Sequence, residues 1–191
     1  MKYAAYVVLM VVLGLAVCIG SNALFAGGGG GKGKKGDADK KEEPPIAKDL
    51  KKVLPPFSNL PWEDQVTVDG KLFFRAKGGK KVKAVASIVE EQGYGGLIAM
   101  AVGVKCNGEI FGVEILKHME TEGFGAKATD PKWRAQFKGK KLSTGAWKVK
   151  KDDPKGIVDE ITGATITSRA VTKGVEGLLQ VFDKNKETLC K

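Results

Sequence analysis

The chain has 191 residues, a net charge of +10, three cysteines and a single histidine. Three scattered cysteines with no Cys-x-x-Cys pair exclude an iron–sulfur ligand set and a redox dithiol. One histidine, His118, with no second histidine to join it excludes a zinc site. The lysines are spread, and no nucleic-acid motif accompanies them. The positive charge therefore points to a membrane surface or acidic protein partners, not to nucleic acid.

Residues 3–26 carry no charge and are mostly apolar. That length suits a transmembrane helix, which needs about 20 residues. The rival is a cleaved signal peptide, because Ser21-Asn22-Ala23 has the small-x-small form of a cleavage site. The apolar run, however, is longer than the core of about 7–15 residues in such peptides. A retained anchor over residues 1–26 is the expectation. Lys32, Lys34, Lys35, Lys40 and Lys41 follow it and only Lys2 precedes it, a bias that would put the rest of the chain in the cytoplasm. Residues 27–46 form a low-complexity Gly/Lys linker. At about 20 residues it spans roughly 25 Å root-mean-square, enough to let a tethered domain swing between two partners.

Residues 47–191 suit one domain. Ala47–Val53 reads as a short helix stopped by Pro55-Pro56. Leu72–Ala76 reads as a strand after an Asp69-Gly70 turn. Val82–Glu90, Leu97–Lys105 and Ile110–His118 alternate as strands, with turns at Gly93–Gly96 and Asn107-Gly108. Asp130 and Pro131 start a short helix on which Trp133 and Phe137 share a face for core packing. A strand near Trp147–Lys150 follows. The last helix sets Val171, Val175, Leu178, Leu179 and Phe182 at helical spacing, with Thr167 or Ser168 as its cap. Gly174 and Gly177 weaken it by about 1 kcal/mol each and mark a close helix–sheet contact. The predicted class is α+β, a largely antiparallel sheet with flanking helices. No Rossmann or Walker loop is present. Cys106 and Cys190 are expected as two unpaired thiols, although the sequence leaves their pairing open.

The most informative stretch is Asp159-Glu160-Ile161-Thr162-Gly163-Ala164-Thr165, placed just before the last helix. Gly163 and Ala164 are small enough to admit a bulky partner, and Thr165 supplies a hydroxyl that can become a phosphate ester. A phosphate there would lie near a helix N-terminus, where N–H groups and the dipole favour anions. By the same electrostatics, Lys148 or Lys150 could face that phosphate. Two further elements are Gly93-Tyr94-Gly95-Gly96 and His118-Met119-Glu120-Thr121-Glu122-Gly123-Phe124-Gly125.

Together these elements resemble the flavin-carrying subunits of the Rnf and Na+-pumping NADH:quinone oxidoreductase complexes, most closely the Rnf G subunits, over about residues 47–186. The first stretch is similar to the family's flavin acceptor D-x-x-T-G-A-T, the second to its G-Y-G-G. The third is similar to its H-x-E-T-P-G-L-G, from which Glu122 and Phe124 depart. The resemblance implies covalent FMN esterified to Thr165, with Thr162, Gly163 and Ala164 beside it. Asp159 would be read by the modifying enzyme. Phe124 and Tyr94 would touch the ring, and Glu120 and Thr121 would tune it.

It further implies a flavin transferase using FAD and Mg2+ as one partner and membrane subunits of an Rnf-type complex as others. Ferredoxin and NAD would stand at the ends of the electron route, with Na+ or H+ moved. The chain itself would relay electrons without a complete active site of its own. The resemblance also places the flavin domain outside the cytoplasmic membrane, against the lysine bias. Two alternatives stay open. One is a freestanding extracytoplasmic FMN carrier released by cleavage after Ala23. The other is a structural or adhesion-like module in which the acceptor match is coincidence.

Overall fold

The structure, a computed structural model, describes residues 43–191. The expected anchor, the possible cleavage site and nearly all of the linker lie outside the described residues. Among the described residues no helix is long and apolar enough to cross a membrane.

A short helix, α1 (Ile46–Val53), comes first. Five strands follow: β1 (Gln65–Val68), β2 (Lys71–Gly78), β3 (Lys81–Gln92), β4 (Leu97–Lys105) and β5 (Ile110–Lys117). They form an antiparallel meander in chain order. The turn signals account for that order. Asp69 and Gly70 both take positive φ, 47° and 72°, the geometry that suits a two-residue hairpin. Asn107-Gly108 closes the β4–β5 hairpin, with Lys105 N–H donating to Glu109 O at 2.8 Å. The Gly93–Gly96 turn, bridged by Gly93 N–H to Gly96 O at 2.8 Å, joins β3 to β4.

Neighbouring residues on a strand face opposite sides, and here the two sides differ in bulk. Phe73, Val85, Met100 and Val102 join one core, under the long helix α3 (Thr165–Lys184). Their neighbours Phe74, Ala84, Ala86 and Ala101 join a second core with Leu50, Val53 and Trp62. Gly103 and Gly112 let α1 lie close to the sheet: a Cβ at Gly103 would stand 1.7 Å from Val53 O, and one at Gly112 3.2 Å from Lys52 O.

The C-terminal half holds a short helix α2 (Pro131–Arg134), then β6 (Ala146–Val149), β7 (Gly156–Val158) and α3, followed by α4 (Lys186–Leu189). Asp130 caps α2 by accepting from Lys132 N–H at 2.9 Å. Phe137 is buried and meets Trp133 edge-on, ring centroids 5.5 Å apart. β6 and β7 form a separate two-stranded parallel sheet. Neither β1 nor β7 was expected, and at four and three residues both are too short to show a period.

Three expectations need correction. Thr167 and Ser168 do not cap the last helix: α3 begins at Thr165, so both lie inside its first turn and are buried. Cys106 and Cys190 are joined in a disulfide. The hairpin carrying Cys106 and the chain end carrying Cys190 meet because both pack beside the α3 core. Of the two helix glycines, only Gly174 sits at a close contact, where a Cβ would stand 3.0 Å from Glu91 Cγ and 3.1 Å from Met100 Cε; Gly177 has open space.

Candidate functional site

The acceptor loop is shaped by residues on either side of it. Ser168 is fully buried; its hydroxyl donates to Ala164 O at 3.1 Å and accepts from Ile161 N–H at 2.9 Å. One side chain thus closes the loop onto the helix that follows. Ala164 N–H donates to Ile161 O at 2.8 Å, and Gly163 takes φ +77°. A residue with a Cβ at Gly163 would be strained by that φ and would also meet the Phe124 ring at 2.9 Å, so glycine is required there twice over.

Upstream, Asp159 is held by its backbone. Trp133 Nε1–H donates to its carbonyl at 2.8 Å, and its N–H donates to Gln136 Oε1 at 2.6 Å. The Trp133 face therefore positions the acceptor segment as well as packing. The Asp159 carboxylate stays exposed and pairs with Lys150 at 2.7 Å.

Thr165 is the first residue of α3 and is half-buried. Its hydroxyl donates to Glu160 Oε2 at 3.1 Å and accepts from Lys151 Nζ at 3.3 Å. Lys148 instead pairs with Asp153 at 3.4 Å and Lys150 with Asp159. The cation at the hydroxyl is thus Lys151 and not Lys148 or Lys150. Strand β6 ends at Val149, and the turn after it carries Lys151 toward the helix. Strand alternation gives no sign of this. In the same turn Asp152 pairs with Arg169 of α3. The hydrogen bond from Arg169 is the main reason that the Asp152 carboxyl lies below its ordinary range.

Thr165 is among the residues lining a cavity of about 480 Å³. Tyr94, Glu120, Thr121 and Phe124 line it from the two other motifs, with Gly163, Ala164 and Thr165 from the acceptor loop. Three separated stretches of sequence converge there. Thr162, exposed, and Asp159 lie outside the lining. Tyr94 is 71% exposed and Phe124 54%, so two aromatic side chains border the cavity with much of their surface in solvent. Ile166, 47% exposed, and Thr167 also line it; neither was foreseen there, Thr167 having been read only as a helix cap.

Glu120 is buried, and its oxygens are bonded within the protein. Oε1 accepts from Gly95 N–H at 2.8 Å, and Oε2 accepts a short hydrogen bond from the Thr167 hydroxyl. One carboxylate thereby ties two of the motifs to the helix that follows the third. His118 accepts from Glu120 N–H at 3.2 Å, and no cluster able to hold a metal is found among the described residues.

Residues 93–180 match the FMN-binding domain family. The chain is 35% identical over 158 residues to the G subunit of the ion-translocating oxidoreductase complex of Pseudomonas aeruginosa, covering 73% of this chain and 72% of that protein. It is 42% identical over 110 residues to the G subunit of the proton-translocating ferredoxin:NAD(+) oxidoreductase complex of Clostridium ljungdahlii, covering 57% of this chain and 59% of that protein. Against several of the relatives it matches, the chain spans little more than half of their length. Among solved structures, it resembles the crystal structure of Shewanella oneidensis NqrC, with a TM-score of 0.51 and 25% identity, covering 74% of this chain and 73% of that one.

Proposed function

The chain belongs to the family of G subunits of ion-translocating oxidoreductase complexes, and on that premise we propose that it is a membrane-anchored electron-transfer subunit carrying FMN covalently on Thr165. The observation that carries this reading is that Thr165 is one of the residues lining a cavity built by all three motifs. The cavity fits the group. Its volume lies within the range of about 300–1,000 Å³ usual for small-molecule sites. Its aromatic borders, Tyr94 and Phe124, are free to face a ring. A Cβ at Gly125 would strike Glu120 Oε2 and Thr167 Oγ1, each at 2.7 Å, so the floor is already packed to contact.

Bound FMN supplies a ring that takes up and passes on electrons. Phe124 and Tyr94 give that ring apolar contact and limit water at its faces. Thr121 offers the cavity a polar edge. Glu120 holds the floor and the Gly93–Gly96 turn in register, so its part is positional. Asp159, exposed and backed by Trp133 and Gln136, is the residue a flavin transferase would read. A covalent link suits a compartment where free flavin is scarce and a released cofactor would be lost.

We place the domain on the extracytoplasmic side. The Cys106–Cys190 disulfide supports this, since such bonds persist in oxidising compartments, and it weighs against the lysine bias after the apolar segment. The partners proposed are the membrane subunits of an Rnf-type complex and a flavin transferase. Ferredoxin and NAD as end reactants follow the name of the Clostridium relative.

The test is covalent labelling by a flavin transferase, followed by denaturation and separation from free flavin. Flavin fluorescence is expected to stay with the wild-type chain and with Thr165→Ser, and to be lost from Thr165→Ala. Equal retention in Thr165→Ala would refute attachment at this residue.

A further inference from the structure

The Thr165 hydroxyl is held from two sides. Lys151 Nζ donates to its oxygen at 3.3 Å, and its own hydrogen is directed at Glu160 Oε2, 3.1 Å away. Lys151 and Glu160 also face each other, Nζ to Oε2 at 3.6 Å. The turn that carries Lys151 is fastened to α3 by the ion pair of Asp152 with Arg169. Arg169 lies four residues after Thr165 on the same helix face, so the fastening stands directly beside the hydroxyl. The neighbouring cations Lys148 and Lys150 are engaged by Asp153 and Asp159. The motif alone predicts none of this, since Lys151 precedes Thr165 by a whole strand.

Resting on the attachment reading above, we propose that Lys151 and Glu160 act as a pair on the Thr165 hydroxyl during flavin attachment, Glu160 as proton acceptor and Lys151 as the partner of the phosphate. The co-reactant is a flavin dinucleotide held by the transferase. A bond forms between Thr165 Oγ1 and the flavin-side phosphorus. The bond from that phosphorus to the bridging oxygen of the pyrophosphate breaks, and a nucleoside monophosphate leaves with the bridging oxygen. The hydroxyl proton passes along the existing hydrogen bond to Glu160 and on to water. Nothing is oxidised or reduced. As Glu160 takes the proton it loses the charge that held Lys151. The ammonium is then released to the phosphodiester, whose negative charge takes the place of the carboxylate. Before attachment Glu160 therefore keeps the seat of the phosphate filled, and it prevents Lys151 from drifting into solvent.

The experiment measures initial labelling rates by intact mass with purified transferase and flavin dinucleotide. It compares wild type with Lys151→Ala, Lys151→Glu, Lys151→Arg, Glu160→Gln and the control Lys148→Glu, after thermal melts have shown each variant folded. Lys151→Ala is expected to slow labelling about five-fold, the upper end for an exposed ion pair, with Lys151→Glu slower still and Lys151→Arg close to wild type. Glu160→Gln keeps an acceptor for the hydroxyl but loses the base, and it is expected to slow labelling by about a hundred-fold, the lower end for general-base catalysis. Lys148→Glu changes the net charge as Lys151→Glu does, and it should label at nearly the wild-type rate. Equal slowing in Lys148→Glu and Lys151→Glu would mean that only the general field matters and would overturn the pair. So would a Glu160→Gln rate equal to wild type. A wild-type chain left unlabelled by a transferase active on another substrate would instead defeat the attachment reading itself.

Discussion

On the inner side of the first turn of α3, Thr167 and Ser168 are sealed from solvent and bonded to Glu120, Ile161 and Ala164. On the outer side, Thr165, Glu160 and Lys151 bond to one another and Arg169 pairs with Asp152, all exposed or half-buried. The same turn of helix therefore has one flank that fixes position and one that offers reactive groups. Buried polar groups must be satisfied, and removing one partner leaves another stranded at a cost of about 1–3 kcal/mol. Exposed pairs are worth far less to stability, about 0–1 kcal/mol. The inner flank should accordingly govern folding, and the outer flank the attachment chemistry.

The sharpest break is Thr165→Ala. Covalent labelling should vanish entirely while the melting midpoint moves little, because neither partner of the hydroxyl is buried, Lys151 being exposed and Glu160 half-buried; intact mass and calorimetry check both halves. Next in size is Cys190→Ser, which opens a disulfide spanning 84 residues. It should lower stability by about 2–4 kcal/mol in denaturant titrations, yet leave labelling in native buffer intact. If it also abolished labelling, the separation of the two flanks would be in doubt.

Glu120→Ala strands the Thr167 hydroxyl and the Gly95 N–H together, and a loss of about 2–3 kcal/mol is expected. Ser168→Ala removes the closure of the acceptor loop and should cost about 1–2 kcal/mol.

The smallest effect lies away from both flanks. Burial alone would raise the Glu114 carboxyl, but hydrogen bonds from Lys52 and Arg134 outweigh it and hold it below its ordinary value of 4.5. A depressed carboxyl stabilises the fold fully above its unfolded value, and that contribution fades as pH falls through the lower folded value. Melting curves taken across that acid range should therefore show a steeper loss for wild type than for Glu114→Gln, with labelling at neutral pH unchanged.

Much of the fold was legible in the sequence because it rests on local chemistry. Asn107-Gly108 sets the hairpin, Asp130 and Pro131 start their helix, and the three glycine-containing motifs do converge on one cavity. What was missed depends on tertiary placement. Lys148 and Lys150 belong to an alternating strand pattern and draw attention. Lys151 reaches Thr165 because the chain leaves β6 before it, and no periodicity records that. Thr167 and Ser168 look like caps by residue type, but α3 starts earlier and turns them inward. The pairing of Cys106 with Cys190 needs two chain segments brought together by the α3 core. β1 and β7 are simply too short to leave a pattern.

The most direct measurement is peptide mapping, by mass spectrometry, of the native chain after transfer of flavin. A gain of one FMN less one water is predicted, confined to the peptide containing Thr165 and localised to that residue on fragmentation. The same gain on Thr162, Thr167 or Ser168, or no gain beside a transferase shown to be active, would contradict attachment at Thr165.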